Sequence, residues 1–150
     1  MNRTKAARVT DIVMSVFKLN GYLLEWGNQF SSRHGLTSSR WQVLGVITIA
    51  QHPLSIPQIA TAMGNTRQGV LKQINLLIEE GLVESIPNPT HKRSPLYVLS
   101  ANGRKIYDAL EERWQSHARQ IGGDFTVADL EATIRVLSAM SKIHADPPPE

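Results

Sequence analysis

LSIPQIATAMGNTRQGVLKQINLLIEEGLVES, residues 54–85, divides into two amphipathic stretches separated by a turn. Ser55 and Gln58 have the spacing of a capping box, and Leu54 with Ile59 that of a hydrophobic staple, so a short helix starts there and ends near Gly64. Asn65-Thr66-Arg67-Gln68 opens the next helix, whose apolar positions Val70, Leu71, Ile74, Leu77 and Ile78 form its expected buried face. Gly81 supplies a left-handed C-cap, after which Leu82 can fold back on Leu77. This is the division of labour of a helix-turn-helix, in which one face is buried and the N-terminal polar residues enter a major groove. Thr66, Arg67, Gln68, Lys72 and Gln73 fall on or near the outer face of the first two turns. Arginine can bond two acceptors of guanine and glutamine can pair with adenine, which makes these five the expected base-reading set. Gly69 among them allows close backbone approach at a cost of roughly 1 kcal/mol in helix propensity.

Downstream, Val83–Ile86 and Leu96–Leu99 read as two short strands, and Pro87, Asn88, Pro89 and Pro95 punctuate the polar segment between them. The tip of this ribbon, His91-Lys92-Arg93, is basic and suited to a minor groove. Upstream, Thr37 N-caps a helix that stops before Pro53, with Leu36 and Trp41 as its staple. Ser38, Ser39 and Arg40 in its first turn are expected phosphate contacts.

Long helices flank this middle. Val9, Ile12, Val13, Val16, Phe17, Leu19, Leu23, Trp26 and Phe30 recur at three- and four-residue steps, predicting one helix with a bend or loosening near Gly21 or Gly27. Ser100 caps another, with a stripe at Ile106, Leu110, Trp114, Ala118 and Ile121, broken at Gly122-Gly123. Thr126 caps the last, with Leu130, Ile134, Leu137 and Met140 on its face. The expected fold is mainly α with a small two-stranded β wing. A winged helix-turn-helix at 36–99 lies between dimerisation helices at 1–35 and 100–145, and a mobile tail follows at 146–150. Helices of about 20 residues span about 30 Å and cannot all bury their apolar faces on so small a winged helix, so a partner chain is the natural cover.

Composition narrows the function. The chain has 150 residues, 41% hydrophobic and 19% charged, which suits one ordinary core. It has no cysteine, which excludes disulfides, thiolate metal sites and cysteine nucleophiles. Asp11, Lys18, Asn20 and Glu25 interrupt the first apolar run, so it is read as neither a signal peptide nor a membrane span, and a cytoplasmic protein is expected. Between Trp26 and Tyr107 eight basic residues face three acidic ones, a surplus of five that leaves the ends at −2 of the overall +3. A basic middle suits a polyanion and the ends suit a protein partner. The five histidines show no metal-ligand spacing, and no nucleophile elbow, phosphate loop or dinucleotide fingerprint occurs. No metal, cofactor or enzymatic activity is expected.

On LTSSRWQVLGVI at 36–47, the segment at 54–85 and NPTHKRSPLYVLSANGRKI at 88–106, the chain resembles the MarR (multiple antibiotic resistance regulator) family over nearly its whole length. The resemblance implies a homodimer in which the first, fifth and sixth helices interlock and two winged helices read a palindromic site on double-stranded DNA. It implies a transcriptional repressor released by a small, often aromatic or phenolic, effector. The family's crevice for such ligands would fall near Trp26, Phe30, His34 and Trp41. Two positions depart from the family pattern: Arg93 has His91 and Lys92 beside it where an orienting aspartate is usual, and Gly69 stands where a hydroxyl is usual. A winged helix serving as a protein-interaction module, and a DNA-binding dimer without an effector, remain alternatives.

Overall fold

The computed structural model describes residues 3–150. The chain forms two compact units, one reaching to Tyr107 and the other comprising Asp108–Glu150.

In the first unit, α1 (Lys5–Ser31) begins at Thr4, whose hydroxyl accepts from the Ala7 amide, and continues through Gly21 and Gly27 without interruption. Gly27 has a packing role there. Its missing side chain makes room for Ser38. A single 3₁₀ turn (Ser32–His34) and a left-handed Gly35 then reverse the chain into α2 (Ser38–Ala50), capped by Thr37. α3 (Ile56–Met63) has the capping box of Ser55 and Gln58 in full, and α4 (Arg67–Glu79) is capped by Thr66. Gly81 has φ 74°, and the Leu82 amide bonds the Leu77 carbonyl at 2.9 Å, closing α4 with two buried leucines.

The sheet has three strands where two were expected. β2 (Val83–Ile86) and β3 (Leu96–Leu99) form the hairpin, and β1 (Leu54–Ser55) adds to the other edge of β3, giving the antiparallel order β1-β3-β2. Leu54 pairs with Tyr97 and Ser55 with Leu96, while Val83 pairs with Leu99 and Ile86 with Leu96. Leu54 and Ser55 thus act both as strand and as the entry to α3. The wing is thereby hydrogen-bonded to the start of the helix-turn-helix.

The core of this unit is drawn from every element around α4. Val43, Leu44, Ile59, Val70, Ile74 and Leu77 are all fully buried. The buried face of α4 is narrower than expected, since Leu71 and Ile78 are exposed. Val70, Ile74 and Leu77 follow one 3-and-4 stripe, and their two neighbours lie on its flanks.

α5 (Ala101–Gly122) opens at Ser100, whose hydroxyl accepts from the Gly103 amide at 3.0 Å and donates to the Gly81 carbonyl at 2.6 Å. In the second unit α6 (Val127–Ile143) is capped by Thr126, which accepts from the Asp129 amide at 3.1 Å. Phe125, Val127, Ile134 and Ile143 are exposed there, as are Val9, Met14, Phe17, Leu19 and Tyr22 on α1.

Candidate nucleic-acid interface

α4 is positioned by burying one stripe, which turns its N-terminal polar residues outward. Thr66, Arg67, Gln68 and Lys72 are exposed, and Gln73 is half-buried. Thr66 also caps the helix: its Oγ1 accepts from the Gly69 amide at 3.0 Å, which leaves its O–H as a donor. Asn65, which sequence reasoning took only as part of the helix opening, accepts the Thr66 amide on Oδ1 at 2.9 Å and braces the cap from outside. The positive end of the helix dipole and two cations lie on the same surface, which suits an anionic partner.

The wing tip is held by the hydrogen bonds of one side chain. Asn88 donates through Nδ2 to the Ser94 carbonyl at 2.9 Å, and its Oδ1 accepts from the amide and hydroxyl of Thr90 at 3.2 and 2.9 Å. The His91 amide bonds the Asn88 carbonyl and the Ser94 amide bonds the His91 carbonyl, at 3.3 and 3.1 Å. One asparagine thus organises the loop that carries His91, Lys92 and Arg93, all of them exposed. Asparagine's habit of bonding backbone two residues on was the available signal, and it was read only as punctuation.

The expected phosphate contacts at the start of α2 separate. Ser38 is 3% exposed, its hydroxyl donates to the Leu24 carbonyl of α1, and its amide bonds Asn28 Oδ1 at 2.8 Å. These two bonds make Ser38 a joint between α1 and α2. Ser39 is half-buried. Arg40 is drawn into the protein, pairing with Glu80 at the end of α4 and bonding the Gly35 carbonyl at 3.2 Å.

Of the four residues expected near a ligand crevice, three come together. Trp26 and Phe30 stack with ring centroids 4.8 Å apart at 16°, and Phe30 meets Trp41 at 5.0 Å and 36°, forming a half-buried ladder of rings from α1 to α2. His34 sits in the 3₁₀ turn that follows α1, also half-buried. No group of three or more histidine or acidic residues able to hold a metal ion occurs among the described residues. No described helix is long and apolar enough to cross a membrane.

The sequence profile of the MarR family matches residues 34–94, from the end of the 3₁₀ turn through the wing. The chain belongs to the MarR family. A relative by sequence is the uncharacterized protein Rv2011c of Mycobacterium tuberculosis, 42% identical over 105 residues that cover 70% of this chain and 72% of that protein. The transcriptional activatory protein BadR of Rhodopseudomonas palustris is 25% identical over 126 residues, covering 81% of this chain and 71% of BadR. The MarR fold is shared with a mutant MarR from E. coli solved in complex with operator DNA, at a TM-score of 0.73 and 17% identity, covering 92% of this chain and 99% of that one.

Proposed function

We propose that this MarR-family chain is a homodimeric, sequence-specific DNA-binding regulator of transcription. The observation that carries the reading is the orientation of α4: Val70, Ile74 and Leu77 are buried, while Thr66, Arg67, Gln68 and Lys72 are exposed beside a capped N-terminus. The basic wing tip supplies a second contact of the same sign, and a family member with this fold has been solved on operator DNA. The exposed apolar residues of α1 and α6 supply surface for the second copy, and a two-fold axis would set the two α4 helices about 34 Å apart for a palindromic site.

Repression follows where that site overlaps a promoter. The relationship to BadR, an activatory protein, favours activation as the second reading. A small aromatic or phenolic effector that stacks against the rings of Trp26, Phe30 and Trp41 would release DNA if it favours one spacing of the reading helices over another.

Fluorescence anisotropy with DNA from upstream of the protein's own gene tests the reading. Arg67→Ala and Arg93→Ala should each weaken binding, and the wild-type protein should show a log–log salt slope of about −0.9 per neutralised phosphate. A flat salt response with no loss in either variant would leave a protein-interaction module as the better account. A reporter fused to the same DNA distinguishes repression from activation.

A further inference from the structure

Arg40 has three simultaneous partners in three places. One Nη faces Glu80 at the C-terminus of α4, the other lies 3.2 Å from the Gly35 carbonyl, and Nε lies 3.5 Å from the Thr37 hydroxyl that caps α2. Its side chain is only 13% exposed. Glu80 is the C-cap residue of α4, where the helix dipole is negative and a carboxylate is disfavoured unless a cation faces it. Glu79 precedes it, so two acids end the helix, and Arg40 is paired with the second of them.

We propose that Arg40 is a positioning residue and not a phosphate contact: it clamps the C-terminal end of α4 to the start of α2 and thereby sets the angle at which α4 presents its N-terminal turn to DNA. A planar fork that bonds two groups at once holds direction as well as distance, which a lysine in its place would not. α4 is about 20 Å long, so a small rotation at its clamped end moves Arg67 and Gln68 at the far end by ångströms. The inference rests on the DNA-binding reading for its consequence, but the clamp itself is testable without DNA.

Arg40→Gln, Glu80→Gln, the double variant and Arg40→Lys are compared by anisotropy across a salt series and by thermal melts. A clamp predicts that Glu80→Gln weakens DNA binding by about tenfold even though it makes the protein's net charge more positive, which by itself favours a polyanion. It predicts that the double variant is no weaker than the weaker single, that Arg40→Lys is also impaired, and that the salt slope stays at the wild-type value. A phosphate contact predicts the reverse: Glu80→Gln neutral or tighter, Arg40→Lys close to wild type, additive losses, and a slope reduced by about 0.9 in Arg40→Gln. That pattern overturns the proposal. If the wild-type protein binds no DNA, the DNA-binding reading fails while the clamp is still decided by the melts. Non-additive Tm losses in the double variant support it and additive losses overturn it.

Discussion

A Cβ added to Gly27 would lie 2.2 Å from Ser38 Oγ and 3.2 Å from Ser38 Cβ, so α1 and α2 meet at a point that only glycine fits. Ser38 is buried there and bonded to Leu24, and so cannot swing aside without losing that bond. Gly27→Ala should therefore destabilise the protein by about 1–3 kcal/mol through overpacking, despite the gain of about 1 kcal/mol in helix propensity. Urea unfolding of Gly27→Ala, Ser38→Ala and the double variant checks it. The double variant should lose less than the sum of the singles, because removing Oγ removes the nearest obstacle.

The same geometry shows what was legible in the sequence. Caps at Thr37, Ser55, Ser100 and Thr126 were readable because a cap is a contact between residues three apart. β1 was not, because its two residues pair with Leu96 and Tyr97, some forty positions away, and a two-residue strand has no alternation to detect. The bond from Ser38 to Leu24 was hidden for a related reason: a position in a first turn is local information, while burial against another helix is not. Arg40 and Glu80, also forty residues apart, carried no sequence signal of their pairing. The exposure of Thr66, Arg67, Gln68 and Lys72 follows from the burial of the opposite helical face, while Gln73 of the same expected set is half-buried.

A second close approach joins α5 to the end of α4. A Cβ on Gly103 would lie 2.0 Å from the Leu82 carbonyl oxygen, and here the obstacle is backbone. Leu82 is itself held by its amide on Leu77 and its carbonyl on the Ser100 amide, at 2.9 and 3.0 Å. Gly103→Ala should cost about 3 kcal/mol or more, exceeding Gly27→Ala, because a backbone pinned on both sides cannot give. Ser100→Ala should cost less, about 1–2 kcal/mol, for the lost cap and the bond to Gly81. Chemical denaturation ranks the three, and a Gly103→Ala protein as stable as wild type would show that this junction is looser than its geometry.

Burial pushes the Tyr97 phenol above its ordinary value of 10.0. The folded protein therefore keeps the Tyr97 proton at pH values where the unfolded chain has lost it. The stabilisation from this group is complete below pH 10 and is lost as pH rises from there through the raised folded value. Tyr97 lies on β3 opposite both Leu54 and Ser85, so its loss should loosen the whole small sheet. Thermal melts between pH 7 and 11 should show wild-type Tm falling more steeply above pH 10 than that of Tyr97→Phe. Parallel curves would assign the alkaline loss to other groups.

Arg67 and Lys72 are both exposed cations on α4, yet they should behave differently. Arg67 is the first residue of the helix, where side chains meet base edges, and it can make a two-pronged bond to guanine. Lys72 lies a turn and a half further on and offers a point charge. Arg67→Ala should cost about 1–3 kcal/mol in binding and relax sequence preference at one position of each half-site. Lys72→Ala should weaken binding evenly across sequences and reduce the salt slope by about 1. Anisotropy against a panel of single-base variants of the bound DNA separates the two, and an unchanged preference in Arg67→Ala would remove it from the reading set.

Gly69 lies between them, at the position where the capping hydroxyl of Thr66 closes onto the helix. A Cβ there would sit 3.0 Å from Thr66 Oγ1, a tight contact, and 3.5 Å from Asn65 Oδ1, an ordinary one, both with side chains and not with backbone. The cap can yield by a few tenths of an ångström, and alanine contributes about 1 kcal/mol of helix propensity, so the two effects oppose each other. Gly69→Ala should leave stability within about 1 kcal/mol of wild type. Its effect on DNA should be larger, because the added methyl stands among Thr66, Gln68 and Lys72, where a bare backbone permits the closest approach. A loss of affinity of about tenfold with an unchanged melting temperature is the expected pair of results. Unchanged affinity would mean that this turn of α4 stands away from DNA, and that the glycine is tolerated for the cap alone.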